Sequence, residues 1–377
     1  MAERRRKRVL VIGPVPADEE FVSGIQLSFA SMLEALLREP SLEVVVHDLS
    51  VIREGRSTLR QSIDEARIFA SLVGRITTPW SRFDAVLFNT SAGGLLRSGG
   101  IVRSACKARG VPLMVRVFGG DLDLLADEAN ERTRQTFERS TLLADRVLLQ
   151  THSLCERFKS SDDCRRVRWW PTTRNVARLL GPRPDQARRF LYFGPIRPEK
   201  GVLEAVQASK RLPDDASLTL MGPTHGGFTI DGVDLGDRCR FLDAPPEGGV
   251  DEVLRNHDVL VFPSYHNREG MPGVILEAMQ AGLPVISTRW RAIPELVVDG
   301  DNGVLVAPKC PNGLGAAMRR LIETPTLFRR LREGARVTGE RFRSAHWEPK
   351  LVRWIHELVE ERAAGSSRSS RDRRSAS

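Results

Sequence analysis

Two open parallel sheets, each covered by helices on both faces, are the architecture this sequence predicts. Three observations point there. The chain has 377 residues, 41% of them hydrophobic, enough to bury two substantial cores. Short apolar runs alternate with helical segments along most of its length, the pattern of successive strand-helix-strand units. Gly181-Pro182-Arg183-Pro184 interrupts that alternation and reads as a linker. The expected division is therefore 1–181 and 182–344, with a closing helix over 345–362 and a disordered basic tail over 363–377.

In the first half, apolar runs predict strands at Val9–Gly13, Leu42–His47, Asp84–Asn89, Pro112–Phe118, Arg146–Gln150 and Val167–Trp170. Helical segments fall at Gly24–Leu37, around Ser62–Ile76 and near Leu95–Arg109. In the second half the expected strands are Phe190–Gly194, Ser217–Gly222, Val259–Pro263, Pro284–Ser287 and Gly303–Pro308. Helices are expected over Gly201–Arg211, Gly313–Glu323, Leu327–Thr338 and Ala345–Glu360. One further helix is opened by Pro272-Gly273 and closed by Gly282-Leu283-Pro284, because proline suits a first turn and glycine an end.

Composition narrows the function classes. The net charge of +9 is concentrated at the ends, in Arg4–Arg8 and in the Ser/Arg-rich stretch from Arg362 to Ser377. Aromatics are only 6%, and no zinc finger or RNA-binding motif accompanies the charge. The basicity is read as support for phosphorylated ligands or an anionic membrane surface, and no nucleic acid partner is expected. Five scattered cysteines, Cys106, Cys155, Cys164, Cys239 and Cys310, form no Cys-x-x-Cys pair, so reduced thiols are expected and neither zinc nor a disulfide framework. No apolar run approaches the roughly 20 residues that cross a bilayer. The opening Met1–Gly13 is basic then apolar, but too short a run for a secretory leader, and reads as a first core strand.

The segment Pro263–Thr288 carries the densest signal. It sets Glu269 and Glu277 eight positions apart around Gly270-Met271-Pro272-Gly273, after one strand and before another. In an open α/β sheet the loop beyond a strand's carboxyl end is where ligands bind. A helix starting there offers unpaired N–H groups and a positive dipole end to an anion. A second loop, Pro195–Gly201, again between a strand and a helix, holds Arg197 and Lys200, two cations suited to a phosphate group.

These residues resemble the signature of retaining GT-B glycosyltransferases, glycosyltransferase family 4 (glycosyl transferases group 1). The likeness rests on Glu269, seven residues, Glu277, on Gly270-Met271-Pro272, and on Glu277-Ala278-Met279. It continues through Ala281–Pro284, Glu295-Leu296-Val297 and Gly300–Gly303. It covers the C-terminal half well and the N-terminal half loosely. It implies the GT-B fold, two Rossmann-like doubly wound domains facing across a cleft, with the last helix crossing back onto the first domain. It implies transfer of a hexosyl unit, with retention and without a metal, from a nucleotide-diphosphate-sugar to an acceptor hydroxyl. The nucleotide-sugar is then a co-substrate and no cofactor is needed.

The resemblance also assigns residues. Arg197 and Lys200 would neutralise the diphosphate leaving group. Glu269 would hold the transferred sugar with the backbone of Gly270, Met271, Pro272, Gly273 and Val274, and Glu277 would accept from ribose hydroxyls. Gly222 and Leu242 would line the nucleotide pocket; Asp243 stands where relatives carry Gly, so the base is left open. Ser23-Gly24 is a weak form of a paired-glycine element, which makes Gly24 a donor-side candidate. Asp121, after Gly119-Gly120, either contacts the donor sugar or the charge developing at its anomeric carbon, or merely caps the following turn. Asp121-Leu122-Asp123 and Asp299–Gly303 match metal motifs too poorly to carry a metal site, and the seven histidines show no ligand spacing, although loop His266 stands just ahead of Glu269. The acceptor, a carbohydrate or glycolipid, is expected against the N-terminal domain near Gly24, Asn89 and Asp121. The expected setting is polysaccharide or glycolipid assembly in the cytoplasm, with peripheral contact at the anionic inner membrane face. Two rivals remain: a sugar-nucleotide epimerase on the same scaffold, and a basic non-enzymatic anion-binding protein.

Overall fold

A computed structural model describes residues 5–16, 24–49, 58–131, 134–135, 144–159, 166–177, 184–224 and 227–375, with backbone alone at 58–62, 65 and 365–375. The chain forms two compact units. The first is Met1–Pro171 with Ser344–Ser377, and the second is Thr172–Arg343.

The first unit holds strands β1 (Lys7–Gly13), β2 (Leu42–Asp48), β3 (Ala85–Ser91), β4 (Leu113–Phe118), β5 (Arg146–Leu149) and β6 (Val167–Trp169). They form one parallel sheet in the order β2-β1-β3-β4-β5-β6. Its helices are α1 (Gly24–Arg38), α2 (Thr58–Thr77), α3 (Ala92–Arg109), α4 (Leu122–Glu128) and α5 (His152–Phe158). The near-continuous apolar strands follow from burial on both faces. Leu10, Ile12, Val86 and Phe88 pack under α2 and α3 with Leu72, Ile76, Leu95 and Val102. Their neighbours Val9, Val11, Ala85 and Leu87 point to the other face, where Phe29, Met32 and Leu36 of α1 meet the final helix.

The second unit holds β7 (Arg189–Phe193), β8 (Ser217–Met221), β9 (Cys239–Leu242), β10 (Val259–Phe262), β11 (Val285–Thr288) and β12 (Gly303–Val306). This sheet is also parallel, in the order β12-β11-β10-β7-β8-β9. Its helices are α6 (Val202–Ser209), α7 (Gly249–Arg255), α8 (Gly273–Gln280), α9 (Ile293–Leu296), α10 (Pro311–Glu323) and α11 (Pro325–Arg341). Phe190, Tyr192, Leu218, Leu220, Val259 and Val261 build one face of the core with α6, α10 and the start of α11. Strand order reverses between β7 and β10, so the loops leaving their carboxyl ends diverge there and open the ligand crevice of such a sheet.

Three differences from the sequence reading stand out. The unit boundary falls at Pro171/Thr172, not at 181/182. The reason is that Thr172–Val176 is bonded into the second unit: Thr172 Oγ1 donates to the Met271 carbonyl (3.0 Å) and Val176 N to Gln280 Oε1 (3.0 Å). Of the expected linker, Gly181–Arg183 lies outside the described residues. The final helix, α12, runs Ser344–Ser375, past the Arg362 at which a disordered tail was expected. Its Trp347, Leu351, Trp354 and Leu358 join the first unit's core, and Glu361 pairs with buried Arg146 (2.6 Å). Finally β9 and the short helices α4, α5, α7 and α9 escaped the periodicity argument. Cys106, Cys155, Cys239 and Cys310 are free thiols. Among the described residues no helix is long and apolar enough to cross a membrane.

Candidate active site

The two loops at the strand-order reversal of the second sheet are those bearing the expected charged residues. After β7, Gly194 N donates to the Met221 carbonyl (2.9 Å) and Ile196 N to the Pro223 carbonyl (2.8 Å), while Tyr192 Oη donates to the Pro195 carbonyl (2.7 Å). Gly222 N in turn donates to the Leu242 carbonyl (3.0 Å), so the ends of β7, β8 and β9 are laced together. Leu242 is 40% exposed at the end of β9, with its carbonyl turned to Gly222. Arg197 precedes a 3-10 turn, Pro198–Lys200, which Gly201 ends in the left-handed region at φ 76°. A Cβ at Gly201 would sit 2.2 Å from the Pro263 carbonyl oxygen, so only glycine lets this turn lie against the end of β10.

That contact brings the charged groups together across the two loops. Lys200 Nζ donates to Glu269 Oε2 at 2.7 Å, and Ser264 Oγ donates to the same oxygen at 2.5 Å. Both ends of the pair are largely buried, with side chains 17% and 8% exposed. Arg197 Nη1 lies 3.6 Å from Glu199. Trp290 Nε1 donates to the His266 carbonyl (2.9 Å), and Thr288 Oγ1 to the Ser264 carbonyl (2.5 Å), fixing the loop between β10 and α8. Burial, with Lys200 adding a smaller repulsion, pushes the His266 imidazole below its ordinary value, which favours the neutral ring. Burial also drives the Tyr192 hydroxyl upward, with Glu269 and Glu199 contributing, so it stays a proton donor.

Helix α8 begins at Gly273 with Pro272 as N-cap, and no side chain caps it there. Its first N–H groups therefore remain donors of the kind an anion takes. Gly270, Met271 and Pro272 are buried and Gly273 and Val274 half-buried. Glu277 projects from the second turn, and Arg174 Nε donates to its Oε1 at 2.7 Å. Thus the second unit brings Arg197, Lys200, Glu269, Gly270–Val274 and Glu277 onto adjoining loops. Sequence reasoning missed Ser264, Tyr192, Thr172 and Arg174. The last two partner residues about a hundred positions away, a relation that no local pattern encodes.

In the first unit, Asp121 is 9% exposed and stands at the N-cap of α4, yet its side chain makes no capping hydrogen bond. The turn-capping alternative therefore lacks its defining bond. Gly119, at φ 99°, donates to Gln150 Oε1 (2.8 Å). Asn89 is fully buried and donates to the Ile12 carbonyl (3.1 Å), so it braces β1 against β3 instead of forming surface for an acceptor. Gly24 opens α1 and its carbonyl accepts from Ser28 Oγ (2.8 Å), while Ser23 lies outside the described residues. Among the described residues no cluster of three or more His, Cys, Asp or Glu is arranged to hold a metal.

Residues 187–324, within the second unit, match the family described as "Glycosyl transferases group 1", so that unit carries a domain of this type. The chain is 32% identical over 162 residues to a glycogen synthase of Mycobacterium tuberculosis, covering 41% of this chain and 38% of that enzyme. It thus spans well under half the length of that relative. Among solved structures, sucrose-phosphate synthase from Thermosynechococcus elongatus superimposes with a TM-score of 0.71 at 16% identity, over 94% of this chain and 100% of that one. Anabaena HepE in complex with UDP and glucose gives 0.65 at 16% identity, over 96% and 100%. The shared architecture is the GT-B fold of two Rossmann-like units.

Proposed function

We propose that this protein is a retaining glycosyltransferase of the family 4 type that transfers a sugar from a nucleotide-diphosphate-sugar to an acceptor hydroxyl. The observation that carries this reading is the pairing at the strand-order reversal. Lys200 on the β7 loop is held 2.7 Å from Glu269 on the β10 loop, beside an N-terminus of α8 with no side-chain cap. The group 1 match over this unit supports it, and so does the UDP bound by a protein of the same fold.

In the proposed reaction the bond between the anomeric carbon and the diphosphate oxygen breaks, and the leaving group takes the electron pair. Arg197, Lys200 and the amides that open α8 stabilise the charge it gains. Glu269, released from Lys200 as phosphate arrives, holds the sugar, and Glu277 accepts from the ribose. The acceptor oxygen attacks the same face, and its proton passes to the leaving phosphate oxygen, which retains the anomeric configuration. Fixed cations stand where other transferases use a divalent metal. Asp121 and Gly24 are proposed to serve the acceptor and sugar from the first unit, and Gly222 and Leu242 the nucleotide. The acceptor is proposed to be a carbohydrate or glycolipid, and the setting polysaccharide or glycolipid assembly in the cytoplasm at the inner membrane face.

The test is product analysis with UDP-, GDP- and ADP-sugars in the presence of EDTA, using an acceptor panel. The expected result is nucleotide diphosphate released in step with an α-linked glycoside, lost in the Arg197→Ala/Lys200→Ala/Glu277→Ala variant. Diphosphate release without a glycoside would favour the epimerase instead, and normal transfer by the triple variant would refute the assignment.

A further inference from the structure

Arg174 is a basic residue of the site region that no sequence motif singled out. Its side chain is 10% exposed and pairs with Glu277, itself 13% exposed. Nε of the guanidinium donates to Glu277 Oε1 (2.7 Å), and Nη1 donates to the Thr173 carbonyl (2.9 Å). It lies across the first residue of α8. A Cβ at Gly273 would fall 2.2 Å from Nη2 and 2.6 Å from both Cζ and Nε. Glycine at this position is therefore explained by the arginine as much as by any ligand.

A simple strut between the start of the second unit and α8 would not need this arrangement. Gln280 already supplies that tie, donating to the Arg174 carbonyl (2.8 Å) and accepting from Val176 N (3.0 Å), and Thr172 adds another at Met271. What the guanidinium adds is control of one carboxylate. It occupies Oε1 by a charged, directional bond and fixes the plane of the group. Oε2 is then left as the oxygen that meets an incoming diol.

We infer that Arg174 is a positioning residue for ribose recognition, holding Glu277 in the one rotamer that accepts from a ribose hydroxyl, with Gly273 kept small to admit it. This rests on the nucleotide-sugar reading above. It also predicts that ribose discrimination depends on Arg174, while the grip on the diphosphate depends on Lys200.

The experiment is calorimetric titration of the full chain with UDP, GDP and ADP and with their 2′,3′-dideoxy counterparts, thermal unfolding serving to show that each variant is folded. The wild type is expected to prefer the ribonucleotide about tenfold or more, the loss of a hydrogen bond to a charged group. Arg174→Gln and Arg174→Ala should bring that ratio close to one with affinity for the dideoxy compound kept, as Glu277→Gln should. Arg174→Lys should recover part of it. Adding Arg174→Gln to Glu277→Gln should change nothing further. Arg174→Lys keeps a cation at the position, so it decides the matter if the other Arg174 variants do not fold. Should the Arg174 variants keep the wild-type ratio while Lys200→Ala weakens both nucleotides, the inference fails and the site reading stands. If the wild type binds no nucleoside diphosphate, both fall.

Discussion

Both units bury positive charge, but Arg116 in the first and Lys200 in the second sit in different surroundings. In the first, Arg116 is 1% exposed on β4, with Cζ 4.5 Å from the Phe118 ring and 5.6 Å from Trp170, and Nη1 donates to the Ser28 carbonyl (3.3 Å). In the second, Lys200 and Arg174 face carboxylates on loops or helix turns at the carboxyl ends of strands. These contacts set Arg116 inside the core of the first unit. A carboxylate on a neighbouring loop, as Glu269 is to Lys200, can give way to a competing anion. Burial of a cation by itself says little, and neither does a carboxylate partner, since buried Arg146 on β5 pairs with Glu361 of α12. Position at the strand-order reversal is what marks Lys200.

Substitutions sharpen that contrast. The largest effect is expected for Arg197→Ala/Lys200→Ala, which should cut transfer rates by roughly a thousandfold, the scale of lost transition-state charge stabilisation. Lys200→Ala also strands buried Glu269 and should cost about 2–3 kcal/mol of stability. Adding Glu269→Gln should restore the melting temperature without restoring transfer, and recovery of both would break the distinction.

Arg116→Ala should do the reverse. It opens a cavity beneath α1 and should cost about 3 kcal/mol in denaturant unfolding, while the folded fraction transfers sugar normally. Arg116→Met fills the space without a buried charge and should cost less. A methionine variant worse than alanine would show that the charge itself is needed there.

Gly201→Ala should lower stability by about 1–3 kcal/mol, because alanine at φ 76° is strained and its Cβ would strike the Pro263 carbonyl. Transfer should fall with it, since this contact sets Lys200 against Glu269. A variant of full activity would uncouple turn from site.

The smallest effect is on pH dependence. His257 is 4% exposed, its Nδ1 hydrogen-bonded to the Val253 carbonyl, and burial depresses its protonation below the ordinary 6.5. The unfolded chain then binds the proton more readily, so stability is complete above about pH 6.5 and falls as pH drops toward the folded value. His257→Asn should flatten the fall in melting temperature between pH 7 and 5.5. An unchanged slope would assign the effect to His47 or His266, whose protonation is likewise depressed by burial.

The fold was legible wherever strands are buried on both faces, because runs such as Val259–Phe262 are apolar throughout. It was illegible at the edge strand β9, whose Cys239 and Phe241 alternate with the exposed Arg240 and Leu242, too short a pattern to separate from a loop. Helices of four to seven residues carry too few turns for periodicity to register. At the site, Arg197, Lys200, Glu269 and Glu277 could be named from their place after strands and from the resemblance, because each group falls within one short segment. The fold sets those segments side by side. Arg174 could not be, since its partner lies 103 positions on and only the folded unit brings them together.

The central claim is that the second unit's paired loops grip a nucleotide diphosphate through fixed positive groups. Titrating the wild type and Arg197→Ala/Lys200→Ala with UDP, GDP and ADP over a range of salt tests it most directly. The account predicts binding of at least one by the wild type, weakened by salt, and roughly a hundredfold loss in the double variant. Equal affinity in the two proteins would contradict it.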